Sequence, residues 1–179
     1  MNMAEGESIP RLVLISGATG AGKTTLAKAV AHEMGLARIA SSDTIREVMR
    51  ATIPTPDPAL IRSSYGRGDV GDASSDWEDA AEAVQPGIEA VVERARQQGV
   101  DLVLEGVHVI PSRRLLNAWE SAGGAALGIV VKIEDENTHR ERIEAREANT
   151  WRGVERYRIG FDRILSLIHI SEPTRLQQI

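Results

Sequence analysis

Leu12-Val13-Leu14-Ile15-Ser16-Gly17-Ala18-Thr19-Gly20-Ala21-Gly22-Lys23-Thr24-Thr25 is an apolar run, a glycine-rich turn and the opening of a helix. Residues 17–24 satisfy G-x-x-x-x-G-K-[ST], the Walker A pattern. Each part has a physical task. Gly17, Gly20 and Gly22 let the backbone curl so that its N–H groups point inward at phosphate oxygens. Ala18, Thr19 and Ala21 complete that cradle. The helix that starts near Lys23 aims the positive end of its dipole at the same place. Lys23 brings a point charge to the β- and γ-phosphates, and the Thr24 hydroxyl is an oxygen ligand for Mg²⁺. Thr25 is a second hydroxyl beside the site, with packing as its other use. The stretch therefore predicts a strand-loop-helix unit that holds a triphosphate with Mg²⁺.

Bulk composition narrows what surrounds it. The chain has 179 residues, enough for one domain with a real core. It is 42% hydrophobic and 26% charged, within the range of globular proteins. A net charge of −5 argues against a nucleic-acid or membrane-surface partner. Cysteine is absent from the sequence, which excludes disulfides and thiolate metal sites. No apolar run reaches the ~18 residues of a membrane span, and the polar residues 1–10 read as a frayed N-terminus without a signal core. These features predict a cytoplasmic enzyme. With aromatics at 3%, its core must be aliphatic.

Working outward, residues 11–16 predict a central parallel strand, apolar on both faces. Residues 23–34 predict a helix with Leu26, Ala27, Val30 and Ala31 on one stripe and Gly35 as its stop. Residues 37–40 predict a second strand and residues 44–50 a helix. Two readings stand for Asp43 between them: helix N-cap, or a carboxylate at the mouth of a cleft. Arg46 lies one turn on, as a cleft cation or a solvated arginine. Residues 51–75 form a long irregular segment with a short helix near 58–63. Its Arg62, Ser63, Ser64, Tyr65 and Arg67 are candidate anion ligands or an ordinary surface loop.

A helix is expected over residues 75–98, opened by Ser75 or Asp76 and kinked or broken at Pro86-Gly87. Residues 100–106 predict the third strand, an apolar run that ends in Glu105, where a Walker B carboxylate belongs. Glu105 either faces Mg²⁺ through water or faces the acceptor, against the plainer reading of a solvated strand end. His108 follows in the loop above the phosphate site. Residues 112–122 predict a helix capped by Ser112, and residues 125–133 a fourth strand. From His139 onward arginines crowd among acids. This is either a solvated helix pair or a lid, at about residues 135–158, that closes Arg142, Arg146 and Arg152 onto a phosphoryl group. Residues 165–179 have no helical continuity with 157–164 and read as foreign or unstructured tail.

Gly17 to Thr24, Ser42-Asp43-Thr44-Ile45-Arg46-Glu47-Val48-Met49-Arg50, Pro58 through Ser63-Ser64-Tyr65, Glu105-Gly106-Val107-His108-Val109-Ile110-Pro111 and His139-Arg140-Glu141-Arg142 occur in this order. Together they resemble the 2-phosphoglycerate kinase family over residues 11–164. The Walker A alone is common to hundreds of families, whereas the segments around Asp43 and His108 are far more specific. The resemblance implies an α/β fold: a three-layer αβα P-loop kinase with parallel strand order 2-3-1-4, a fifth strand expected to be missing, and a helical lid. It implies ATP- and Mg²⁺-dependent phosphorylation of a hydroxyl on a small phosphorylated acid, 2-phosphoglycerate giving 2,3-bisphosphoglycerate. In that chemistry Lys23, Asp43, Arg142 and Arg146 are catalytic, and Asp43, Arg46, Tyr65, Glu105 and His108 face the acceptor. Thr24 and Glu105 serve the metal. The sequence leaves oligomeric state open. It also leaves two alternatives: a P-loop phosphotransferase of the shikimate/gluconate, chloramphenicol or zeta-toxin type, and a non-catalytic ATP-binding module or inactive fragment.

Overall fold

The computed structural model describes residues 9–62, 71–148 and 155–166. Four parallel strands carry the fold: β1 (Arg11–Gly17), β2 (Ile39–Ser41), β3 (Leu102–Glu105) and β4 (Ala125–Val131). Their order, β2-β3-β1-β4, is the one expected. Between and after them run α1 (Lys23–Met34), α2 (Ser42–Thr52), α3 (Pro58–Ile61), α4 (Ala73–Gln97), α5 (Arg113–Ser121), α6 (Glu136–Glu147) and α7 (Glu155–Ser166).

Strand periodicity divides the core into two layers. Leu12, Leu14, Leu102 and Leu104 face one side and pack on Val84, Ile88 and Val92 of α4 and Leu115 and Trp119 of α5. Val13, Ile15 and Val103 face the other side and pack on Ala27 and Ala31 of α1. Burial on both faces is why β1 and β3 read as unbroken apolar runs. The register then fixes where chemistry collects. Glu105 pairs with Ile15 of β1 and with Ser41 of β2. The glycine-rich loop, Ser42-Asp43 and residues 106–108 therefore all leave the sheet at one level, at its carboxyl edge.

Several local expectations are corrected. Asp43 is not the N-cap of α2: the Ser41 hydroxyl accepts the Asp43 N–H at 3.3 Å, and the helix opens at Ser42. β2 runs directly into the helix, so Asp43 lies in its first turn with a side chain 68% exposed. Helix α4 opens earlier, at Ala73, because Asp72 accepts the Ser75 N–H at 3.0 Å. It also passes Pro86-Gly87 unbroken. Buried Val84 and Ile88 hold the turn on either side of the missing N–H. At Gly87 a Cβ would lie 2.5 Å from Ile45 Cγ2 and 2.6 Å from Met49 Sδ, so this glycine marks close contact with α2 rather than a break. Finally, α7 continues through Leu165, which packs beside Ile143, Tyr157, Phe161 and Ile164. Helical continuity therefore extends past residue 164. Residues 167–179 lie outside the described residues, as do residues 63–70.

Candidate active site

The loop after β1 is a cradle built on backbone conformation. Gly17 has φ 142°, and a Cβ there would sit 2.3 Å from the Val131 carbonyl oxygen of β4. Gly22 caps α1 at φ 98°, where an L side chain is strained, and a Cβ there would project into open space. No acid occupies the first turn of α1 to compete for the helix dipole. The Ala18 carbonyl accepts the Ala21 N–H at 3.2 Å and the Lys23 ammonium at 2.8 Å. That leaves two of the ammonium's three donors for an anion. Lys23 is buried, and burial lowers its pKa. The charges of Glu105 and Asp43 oppose the shift, and Arg146 adds to it.

A cavity of about 660 Å³ opens over this loop. Residues 20–26 and 29 line one side and Arg142 and Arg146 of α6 the other. Of the expected nucleotide ligands, Gly20, Ala21, Gly22, Lys23, Thr24 and Thr25 line it. Gly17, Ala18 and Thr19 form the loop behind. An open glycine cradle, a helix N-terminus, an ammonium and two guanidinium groups fit a polyphosphate. The Thr24 hydroxyl donates to Glu105 Oε1 at 3.1 Å, which brings two hard oxygen donors together beside it. That pair suits Mg²⁺, which takes few protein ligands and completes its shell with water and phosphate oxygens. Burial pushes the Glu105 carboxyl above its usual range. Lys23 and the Thr24 hydroxyl pull the other way, and Asp43 adds to the rise.

The residues expected to face an acceptor lie across the strand ends. Asp43 Oδ1 is 3.7 Å from His108 Nδ1, and Ser42 Oγ is 3.5 Å from the same nitrogen. His108 is fully buried, and burial pushes its pKa down to about 4. Asp43 opposes that shift, while Arg46 and Lys23 deepen it. The ring is therefore neutral near pH 7, and its contact with Asp43 is polar rather than an ion pair. Gly106, at φ 154°, makes this approach possible: a Cβ would lie 1.8 Å from Ser42 Oγ. Trp77 of α4 steadies the same loop, its indole N–H donating to the Val107 carbonyl at 2.7 Å.

Other candidates divide. Arg46 is buried, and its Nε–H donates to the Leu60 carbonyl at 2.9 Å and a terminal N–H to the Arg62 carbonyl at 2.5 Å. Its described bonds thus hold α3 against α2. Arg62 turns to α4, reaching the Asp76 carbonyl and the Asp79 carboxylate at 3.2 Å each. Tyr65 and Arg67, like Arg152, lie outside the described residues. On α6, Arg146 donates to the Tyr157 hydroxyl at 3.1 Å and to Glu147 at 2.9 Å while lining the cavity. Sequence reasoning missed His139, whose Nε2 lies 2.6 Å from the Thr19 carbonyl oxygen, and Trp77. His139 stood among the quoted motif residues, but only the tertiary contact gives it a task.

A family model described as an AAA domain matches residues 12–166. The chain is 33% identical over 163 residues to a 2-phosphoglycerate kinase of Methanothermobacter thermautotrophicus, covering 83% of this chain and 52% of that protein. It is 34% identical over 165 residues to a 2-phosphoglycerate kinase of Methanopyrus kandleri, covering 87% of this chain and 50% of that one. The chain thus spans about half the length of these relatives. A provisionally assigned kinase from Chloroflexus aurantiacus superposes with a TM-score of 0.50 at 21% identity, over 79% of this chain and 68% of that one, and supports the fold alone. With a P-loop, a parallel sheet in the expected order and a family match over most of its length, the chain belongs to the AAA domain family and is similar to the archaeal 2-phosphoglycerate kinases.

Proposed function

We propose that this chain is the phosphotransfer core of an ATP-dependent small-molecule kinase, with 2-phosphoglycerate as acceptor and 2,3-bisphosphoglycerate as product. One observation carries the reading: Glu105, bonded to Thr24 of the phosphate loop at 3.1 Å, is level in the sheet with Ser41, so the exposed Asp43 carboxylate leaves the same sheet edge as that loop. The acid suited to an acceptor hydroxyl and the cation suited to the donor phosphates therefore stand at one edge of the sheet. The relatives named 2-phosphoglycerate kinase support the choice of acceptor.

In this reading the glycine loop and Lys23 hold the β- and γ-phosphates. Arg142 and Arg146 face them from α6, the first helix of a lid formed with α7, and neutralise charge spread over the transferring group. Thr24 and Glu105 would hold Mg²⁺, which supplies charge neutralisation at the phosphates when bound. Asp43 accepts the hydrogen bond of the acceptor hydroxyl and takes its proton as the oxygen bonds to the γ-phosphorus and the bond from that phosphorus to the bridging oxygen breaks, releasing ADP. Neutral His108 beside it fixes the wall of the acceptor pocket without adding charge.

A panel of acceptors read by ADP formation tests this reading. 2-Phosphoglycerate should give the highest rate. A rate with shikimate, gluconate or another unphosphorylated alcohol, and none with 2-phosphoglycerate, would overturn the acceptor. No rate with any acceptor, with ATP still bound, would overturn the kinase reading in favour of a binding module.

A further inference from the structure

Helix α6 is the most charged described helix near the cavity, yet it buries a histidine. His139 is fully buried, and Ile143 one turn later is nearly so. Both lean on the glycine-rich loop. A Cβ at Gly20 would lie 2.5 Å from Ile143 Cγ1 and 3.2 Å from His139 Nε2, so the absent side chain is the seat that α6 occupies. The Thr19 carbonyl oxygen is 2.6 Å from His139 Nε2. A carbonyl only accepts, so Nε2 carries the proton and donates. Nδ1 is then a bare lone pair, buried without a hydrogen-bond partner. A second ring proton would find no acceptor there, which keeps the imidazole neutral. Burial lowers its pKa, the Thr19 bond opposes this, and the charges of Lys23 and Arg142 add to the lowering.

The positions along α6 supply the consequence. Residues three and seven after His139 lie on nearly the same stripe of a helix, and those residues are Arg142 and Arg146. Both line the cavity. Where His139 meets the loop therefore decides how α6 is rotated, and that rotation decides where the two guanidinium groups point.

We infer that His139 is a positioning residue: its hydrogen bond to the Thr19 carbonyl seats α6 on the phosphate-binding loop and aims Arg142 and Arg146 into the cavity. The catalytic consequence rests on the kinase reading above; the seat itself does not. The bond needs an N–H where Nε2 now lies. Glutamine places its amide nitrogen near that position, asparagine places its own near Nδ1, and leucine fills the volume without a donor.

The test compares H139Q, H139N and H139L in the full chain. Turnover, ADP affinity by calorimetry, thermal midpoint and amide hydrogen exchange of α6 are measured for each. H139Q should keep turnover within about fivefold of the parent, while H139N and H139L lose on the order of 10- to 100-fold in kcat, the size expected for misplaced catalytic groups. KM for ATP should move by only about threefold or less, because the arginines act mainly on transition-state charge. R146A should cost H139L little further, since the displaced helix already withdraws that arginine. Exchange in α6 should rise in H139N and H139L and not in H139Q. Equal losses in H139Q and H139N, in step with their thermal midpoints, would overturn the proposal and leave His139 as packing. If H139L does not fold, the Gln and Asn pair decides alone. If no variant and no parent turns over, exchange of α6 still separates Gln from Asn, so the seat stands while the kinase reading falls.

Discussion

The Thr24 hydroxyl donates to Glu105 Oε1 at 3.1 Å and ties the first turn of α1 to the end of β3, which the sheet register sets level with Ile15 of β1. The link predicts a specific role for Glu105 in metal use. Glu105→Gln keeps the size and an acceptor oxygen but removes the charge. The Mg²⁺ concentration for half-maximal turnover should rise on the order of 10-fold, as for other residues that orient a metal shell. Nucleotide affinity without metal should hold or improve, because a carboxylate near the phosphates is gone. Titrating Mg²⁺ against ADP formation checks this, and an unchanged Mg²⁺ dependence would remove Glu105 from the metal's surroundings.

Gly106 sets how closely the loop after β3 approaches α2. Its φ of 154° and the 1.8 Å that would separate a Cβ from Ser42 Oγ leave no room for alanine. Ser42 is fully buried, so it cannot swing into solvent. Gly106→Ala should cost about 2 kcal/mol or more in urea unfolding. It should also lower turnover, because Asp43 and His108 flank the displaced serine. An unchanged unfolding midpoint would show that the loop yields freely.

A pH-dependent stability effect is expected at the opposite end of the sheet. Asp101 accepts the Arg11 N–H at 2.7 Å and pairs with its guanidinium at 2.7 and 3.2 Å. The guanidinium bond, ahead of the backbone bond, holds the carboxyl below its usual range. A carboxyl lowered on folding stabilises the fold above its unfolded pKa of about 3.9. That stability disappears as pH falls through the lower folded value. Thermal melts of the parent and Asp101→Asn should therefore differ at pH 7 and converge as pH falls below the unfolded value of about 3.9. A constant difference across that range would mean that charge plays no part.

Much of the fold was legible because its signals are local. The apolar residues of β1, the glycines after it and the amphipathic stripe of α1 specify strand, loop and helix without reference to the rest of the chain. The order β2-β3-β1-β4 came from family resemblance rather than from any local signal. The misreadings share a different cause. Pro86 lowers helix propensity locally, but the contacts of Val84 and Ile88 keep α4 whole. Asp43 has the chemistry of a cap, yet Ser41 comes first where strand meets helix and takes that task. His139 sits in a charged run, and only the distance between α6 and Thr19 in space gives it a partner 120 positions away. Arg46 also makes bonds that no local signal announces, to the carbonyls of Leu60 and Arg62 at the end of α3.

In the proposed kinase cleft the glycine loop is the donor half and Asp43 belongs to the acceptor half. The most direct measurement is turnover of Asp43→Asn with ATP and 2-phosphoglycerate, beside its ATP affinity by calorimetry. Asparagine keeps the shape and the exposure of the side chain but cannot take a proton. The predicted result is a loss of turnover on the order of 10²-fold or more, the scale of general base catalysis, with ATP affinity within about twofold of the parent. Turnover equal to that of the parent would contradict it.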